Sequence, residues 1–103
     1  MNFKTGRVVS VNPSKHSRGW TAKVLCGGNV FHINDGHECR VRIIGNELNI
    51  ELYSRRARPS IGACVSFQID PSRPSGCQVK RWWYTEEYTE ARQRLLPKGR
   101  RVR

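Results

Sequence analysis

Gly19-Trp20-Thr21-Ala22-Lys23-Val24-Leu25-Cys26-Gly27-Gly28-Asn29-Val30-Phe31-His32-Ile33 reads as two short strands and the turn between them. Apolar and polar residues alternate from Trp20 through Lys23, the period of a strand with one buried face. Gly27-Gly28 ends that run. The β-branched and aromatic residues of 29–33 begin another, which Asn34-Asp35-Gly36 closes with turn chemistry.

Outward from this pair the pattern repeats. Residues 5–11, Thr-Gly-Arg-Val-Val-Ser-Val, form an earlier strand that stops at Asn12-Pro13-Ser14, and residues 14–18 make a short basic loop. Residues 39–44 and 48–52 flank Gly45-Asn46 as a hairpin, with Arg40 and Arg42 on one face and Asn49 and Glu51 on one face of the partner strand, placed for cross-strand ion pairing. A basic loop over 53–61 contains Arg55, Arg56 and Arg58, and Pro59 discourages regular structure there. Residues 62–69 and 77–84 are two more strands around the Pro71- and Pro74-containing turn at 70–76.

After Thr85, placed as an N-cap, the period becomes helical. Residues 86–96 put acids in the first turn and arginines in the last, matching the helix dipole, and Tyr88, Ala91 and Leu95 share a side that rests on the strands. Pro97 stops the helix, and residues 97–103, with four cations and no acid, read as a disordered basic tail. Five to seven short strands with one terminal helix predict an all-β fold, a small closed or nearly closed barrel, with an SH3-like barrel as the competing architecture. The barrel spans 1–84 with 38–52 as an inserted hairpin, the helix 85–96 and the tail 97–103.

The chain has 103 residues, 19 Lys and Arg against 8 Asp and Glu, and a net charge of +11. This length excludes a large multi-domain enzyme, and the charge calls for a negatively charged partner. Fourteen of the 19 cations are arginine, whose planar fork pairs bidentately with phosphate and stacks on bases. No apolar run approaches the roughly 18 residues that span a bilayer, and the opening Met-Asn-Phe-Lys-Thr-Gly-Arg lacks a secretory apolar stretch, so a soluble cytoplasmic protein without membrane contact is expected.

Cys26, Cys39, Cys64 and Cys77 are too widely spaced for the close pairs of a zinc site and are expected to be reduced thiols acting as small apolar residues. His37-Glu38-Cys39 are adjacent on an extended strand and cannot converge on one ion; no metal or cofactor is expected. There is no nucleophile elbow, no phosphate-cradling glycine loop and no carboxylate pair in a recognisable setting, while Asp35 and Asp70 occupy turns, so no enzymatic activity is expected.

Two stretches interleave aromatics with cations, the mixture that binds single strands because a stacked base is worth about 1–3 kcal/mol whatever its identity. The first comprises His16, Arg18, Trp20 and Lys23 with Phe31 or His32, which as neighbours on one strand point to opposite faces. The second is Lys80-Arg81-Trp82-Trp83-Tyr84, where Trp82 and Tyr84 share a face and Trp83 takes the other. At least one of these rings belongs to the core and anchors the helix, leaving Trp83 or the Trp82/Tyr84 pair for binding.

Gly19-Trp20 followed by Val30-Phe31-His32 resembles the cold-shock domain, a nucleic-acid-binding member of the OB-fold group. Lys4-Thr5-Gly6-Arg7-Val8 is similar to that family's opening, Gly62-Ala63-Cys64-Val65-Ser66-Phe67 to its fourth strand and Gln78-Val79 to its fifth, so the resemblance covers 4–84 without the 38–52 hairpin. The chain departs from the pattern at Ala22, where the family has a second aromatic, and between Phe31 and His32, where one residue is missing. The resemblance implies a five-stranded OB barrel that binds single-stranded RNA or DNA, with Trp20 and either Phe31 or His32 stacking. The candidate nucleic-acid-binding residues are thus Lys4, Arg7, His16, Arg18, Trp20, Lys23, Phe31, His32, Arg55, Arg56, Arg58, Lys80, Arg81 and Trp83. The competing expectation is a protein-binding module of a ribonucleoprotein or viral assembly, docking through the hairpin or the helix while its tail touches nucleic acid incidentally. A duplex-binding SH3-like barrel is the third.

Overall fold

Alternation along the chain settles which face of each strand is inside. The computed structural model of the protein describes residues 2–15, 19–74 and 76–95. It contains β1 (Lys4–Pro13), β2 (Trp20–Cys26), β3 (Asn29–Asn34), β4 (Cys39–Ile44), β5 (Glu47–Leu52), β6 (Cys64–Ile69), β7 (Val79–Tyr84) and α1 (Thr85–Leu95), with a 3₁₀ turn at Asp35–His37. Each element expected from sequence lies within two residues of these bounds. The 3₁₀ turn was not expected; the Asn34 side chain holds it by accepting from the His37 N–H at 3.1 Å. Thr85 is the first helical residue instead of a cap, and its hydroxyl is 2.8 Å from that of Ser66. The expected tail lies outside the described residues.

Five strands form one antiparallel sheet in the order β3-β2-β1-β6-β7, and β4 and β5 pair separately as the expected hairpin. On β2 the inward set is Trp20, Ala22 and Val24; on β3 it includes Ile33; and Val8, Val65, Phe67, Val79 and Trp82 complete the buried core. A bulge between Val8 and Ser10 shifts the β1–β2 register, and Val9, on the face opposite Val8, is exposed. Gly6 is buried where β1 crosses β2: a Cβ there would lie 2.8 Å from Val24 Cγ1 and 2.5 Å from the Leu25 carbonyl oxygen, so no larger residue fits without moving backbone.

The sheet curls until its two outer strands meet. Trp82 on β7 donates its indole N–H to the Asn34 carbonyl at the end of β3, 2.8 Å away, and Glu38 forms a parallel bridge with Trp82. The result is a small, incompletely closed all-β barrel centred on Trp82, which meets Trp20 edge-on at 5.6 Å and Tyr84 at 5.3 Å.

The hairpin and α1 are fastened to this barrel by a charged latch. Glu38 is 1% exposed and accepts from both the Arg55 backbone N–H (3.1 Å) and its guanidinium (2.7 Å), while the same guanidinium reaches Glu87 on α1 at 2.9 Å. Burial opposes the charge on Arg55, but Glu87 and Glu38 outweigh it and hold its pKa above the usual value. The Arg40 guanidinium stacks over the Tyr53 ring at 4.4 Å. The expected cross-strand pairs form, Arg40 and Arg42 both reaching Glu51 at 3.4 and 3.3 Å, though half-exposed pairs of this kind contribute at most about 1 kcal/mol each. Among the described residues no helix is long and apolar enough to cross a membrane.

Candidate nucleic-acid interface

With Trp20, Ala22 and Val24 facing in, β2 must present Thr21, Lys23 and Leu25 outward, and its register with β3 sets Lys23 beside His32 and Leu25 beside Val30. On the other side of β2, Leu25 faces Arg7 and Lys23 faces Ser10 of β1. The outer face of β1–β3 therefore consists of an apolar strip of Val9, Leu25 and Val30, 44–50% exposed, among the exposed side chains of Arg7, Lys23 and His32.

Charge is sorted in the same way. No Asp or Glu occurs before Asp35, so β1, β2 and β3 contain no carboxylate at all. All five ion pairs among the described residues use the hairpin, the loop behind it, α1 or the β6–β7 turn, and none involves Lys4, Arg7 or Lys23. A low-dielectric wall bearing one sign of charge focuses the field outward, which suits a polyanion.

A cleft of about 320 Å³ continues this face. Thr21, His32 and Asn34 form one wall, His37 lies at its end, and Arg73 and Cys77 of the β6–β7 loop form the other. The loop folds close over the imidazole, since a Cβ on Gly76 would lie 3.8 Å from His32 Cδ2. Asp70 shapes this loop by accepting from the Ser72 hydroxyl (2.6 Å) and N–H (3.0 Å), bonds that hold its carboxyl below the ordinary carboxylate range. Its contact with Arg73, at 3.6 Å and half-exposed, is a weak tether that leaves the guanidinium available.

Several expected site residues are placed elsewhere. Trp20 is 2% exposed and Trp83 is 0% exposed, so both rings are core residues and neither offers a face to a base; this corrects their expected stacking role. Phe31 also turns inward, 5.0 Å from Phe67, and of the two alternatives at this point only His32 faces out. Arg55 is engaged by Glu38 and Glu87, and Arg81 by the Gln68 side chain and the Ile50 carbonyl, so both expected phosphate ligands have partners within the protein. Arg7 donates to the Gly62 carbonyl at 2.9 Å yet stays exposed. Lys4, Lys23, Arg58 and Lys80 are exposed, as is Arg56, which adopts a left-handed φ of 62°. His16 and Arg18 lie outside the described residues.

Sequence reading missed Thr21, His37, Arg73 and Cys77, because only the meeting of β3 with the β6–β7 loop, some forty residues apart in the chain, puts them together. The four cysteines are free thiols, and burial pushes the Cys39 thiol up, keeping it protonated as a small apolar group. Among the described residues no three His, Cys, Asp or Glu side chains come together as a metal site. Comparison of the chain with family models, with curated proteins and with solved structures finds no match.

Proposed function

We propose that the protein binds single-stranded RNA or DNA across the outer face of β1–β3 and into the cleft beside the β6–β7 loop, without catalysing a reaction. The observation that carries this reading is the sorting of charge: the three strands hold cations and no carboxylate, whereas Glu38, Glu51 and Glu87 pair with arginines of the hairpin and the loop behind it. Strand order supports it further. In an OB barrel the face of the second and third strands, with the loops joining strands one to two and four to five, takes the oligonucleotide. Numbering β6 and β7 as the fourth and fifth strands puts the cleft of Thr21, His32 and Arg73 at that position.

Phosphates are held by Arg7, Lys23, Arg73 and Lys80, bases rest on the aliphatic strip, and His32 is the exposed ring on this face among the described residues. Such a surface binds with little sequence preference, since aliphatic contact and charge read no base edge. Fluorescence anisotropy with a labelled single strand tests it. His32→Ala is expected to cost about 1 kcal/mol, the low end for one stacked base, and Arg73→Ala to weaken all sequences alike. Arg42→Ala, on the hairpin, should leave affinity unchanged. Equal losses from Arg42→Ala and Arg73→Ala would contradict a localised site.

A protein-docking role for the hairpin rests on Ile44 and Leu52, 47% and 69% exposed. Removing residues 97–103 separates the two readings: it abolishes nucleic-acid binding if docking is the main role and only weakens it if the β1–β3 face is the site.

A further inference from the structure

A second cavity, of about 400 Å³, lies between the N-terminal segment, β6 and α1, at the lower end of the size range of small-molecule sites. Its apolar side is the Phe3 and Tyr88 ring pair, packed on each other edge-to-face with centroids 5.0 Å apart at 65°. The Gln93 amide and the Arg92 guanidinium supply the available polar groups, since the lining hydroxyls of Ser66 and Thr85 bond each other and that of Thr89 donates to the Thr85 carbonyl; no carboxylate lines the cavity. Trp83 contacts both rings, at 5.3 and 6.2 Å, and its fully buried indole N–H has no acceptor.

The chemistry selects the occupant. The outer flank of the ring pair accepts a stacked ring, the Gln93 amide, which shows donor and acceptor side by side, matches the edge of a heterocycle, and the exposed Arg92 matches a phosphate. We propose that this cavity is a second binding site that takes one unstacked nucleobase, with its phosphate on Arg92. Resting on the reading above, the site would receive a base from the same strand after it passes around the barrel. Recognition of splayed single bases by aromatic side chains and polar edges is the usual way proteins read unpaired RNA. The cavity, unlike the β1–β3 face, therefore supplies base discrimination.

The test is a ¹⁵N-correlation titration of the intact protein with adenosine and uridine 5′-monophosphates, with variants at the exposed positions Arg92 and Gln93. The Trp83 indole and Thr89 amide signals should shift saturably. Arg92→Ala should weaken that response at least five-fold, Gln93→Ala should narrow the difference between the two nucleotides, and Arg73→Ala should not affect it. Shifts confined to Thr21 and His32 would overturn the second site while leaving the β1–β3 face standing. Shifts of Trp83 with benzoate and none with either nucleotide would overturn the nucleobase assignment. Failure of an oligonucleotide to bind while mononucleotides move Trp83 would refute the strand-binding reading and retain the pocket.

Discussion

Replacing Trp82 by alanine is expected to lower stability by about 3–5 kcal/mol, as a buried large-to-small change that leaves a cavity does. Trp82 is fully buried, pairs across β6–β7 with Phe67, and packs on Trp20 and Tyr84. It is also the piece that brings the sheet's two outer strands together, through its indole bond to Asn34 and the bridge to Glu38. Trp82→Phe separates these two roles. It keeps most of the packing but leaves the Asn34 carbonyl unpaired, a loss of about 1–3 kcal/mol for a buried acceptor. Urea denaturation of both variants checks this ordering. A loss below about 1 kcal/mol for the alanine would show that the barrel does not close on this ring.

Arg55→Ala is expected to cost a similar amount, about 3–5 kcal/mol, because it strands a buried charge. Glu38 would keep a single backbone donor at 1% exposure, and α1 would lose its tie to the loop through Glu87. The double replacement Glu38→Met with Arg55→Met should be far milder than Arg55→Ala, since two apolar side chains of similar length remove the unpaired charge along with the pair. Thermal unfolding of the three proteins decides it. If the double variant is the least stable, the pair contributes through attraction that exceeds its desolvation, and the latch is stronger than argued. Arg55 was a natural candidate for phosphate on sequence grounds, and the same experiment measures what it does instead.

What could be read from the sequence was mainly local. Alternation in β2, β4 and β5, the glycine turns and the acids-first, arginines-last helix all encode themselves within a few residues, and the structure agrees with them closely. Facing direction was harder. An alternating strand announces that it has two faces, but Trp20 and Phe31 are both apolar enough to be core and aromatic enough to stack, and only closure of the barrel over Trp82 decides for the core. The same holds for arginine. Arg55 and Arg73 are the same residue type in loops of similar composition, yet Glu38 and Glu87 come to meet the first from distant elements, while among the described residues the guanidinium of the second pairs with Asp70 of its own turn. The cleft could not have been found from spacing, because its walls belong to β3 and to a loop whose position follows from the sheet curling. By contrast, the absence of carboxylates before Asp35 was legible in the sequence, and its meaning became clear once those residues proved to be three adjacent strands.

A single strand lying on the face of β1–β3 releases counterions from its phosphates, so the salt dependence of binding reports how many of them the face holds. Each phosphate neutralised on a single strand contributes about −0.7 to the slope of log affinity against log salt. Anisotropy titrations of matched single-stranded and duplex oligonucleotides over a range of salt, with wild type beside the Lys23→Gln, Arg73→Gln double variant, give that slope. The account predicts tighter binding of the single strand throughout, a wild-type slope of about −2 to −4, and a slope shallower by about 1.4 in the double variant, two contacts at about 0.7 each. An unchanged slope in the double variant, or a duplex bound more tightly than the single strand, would contradict it.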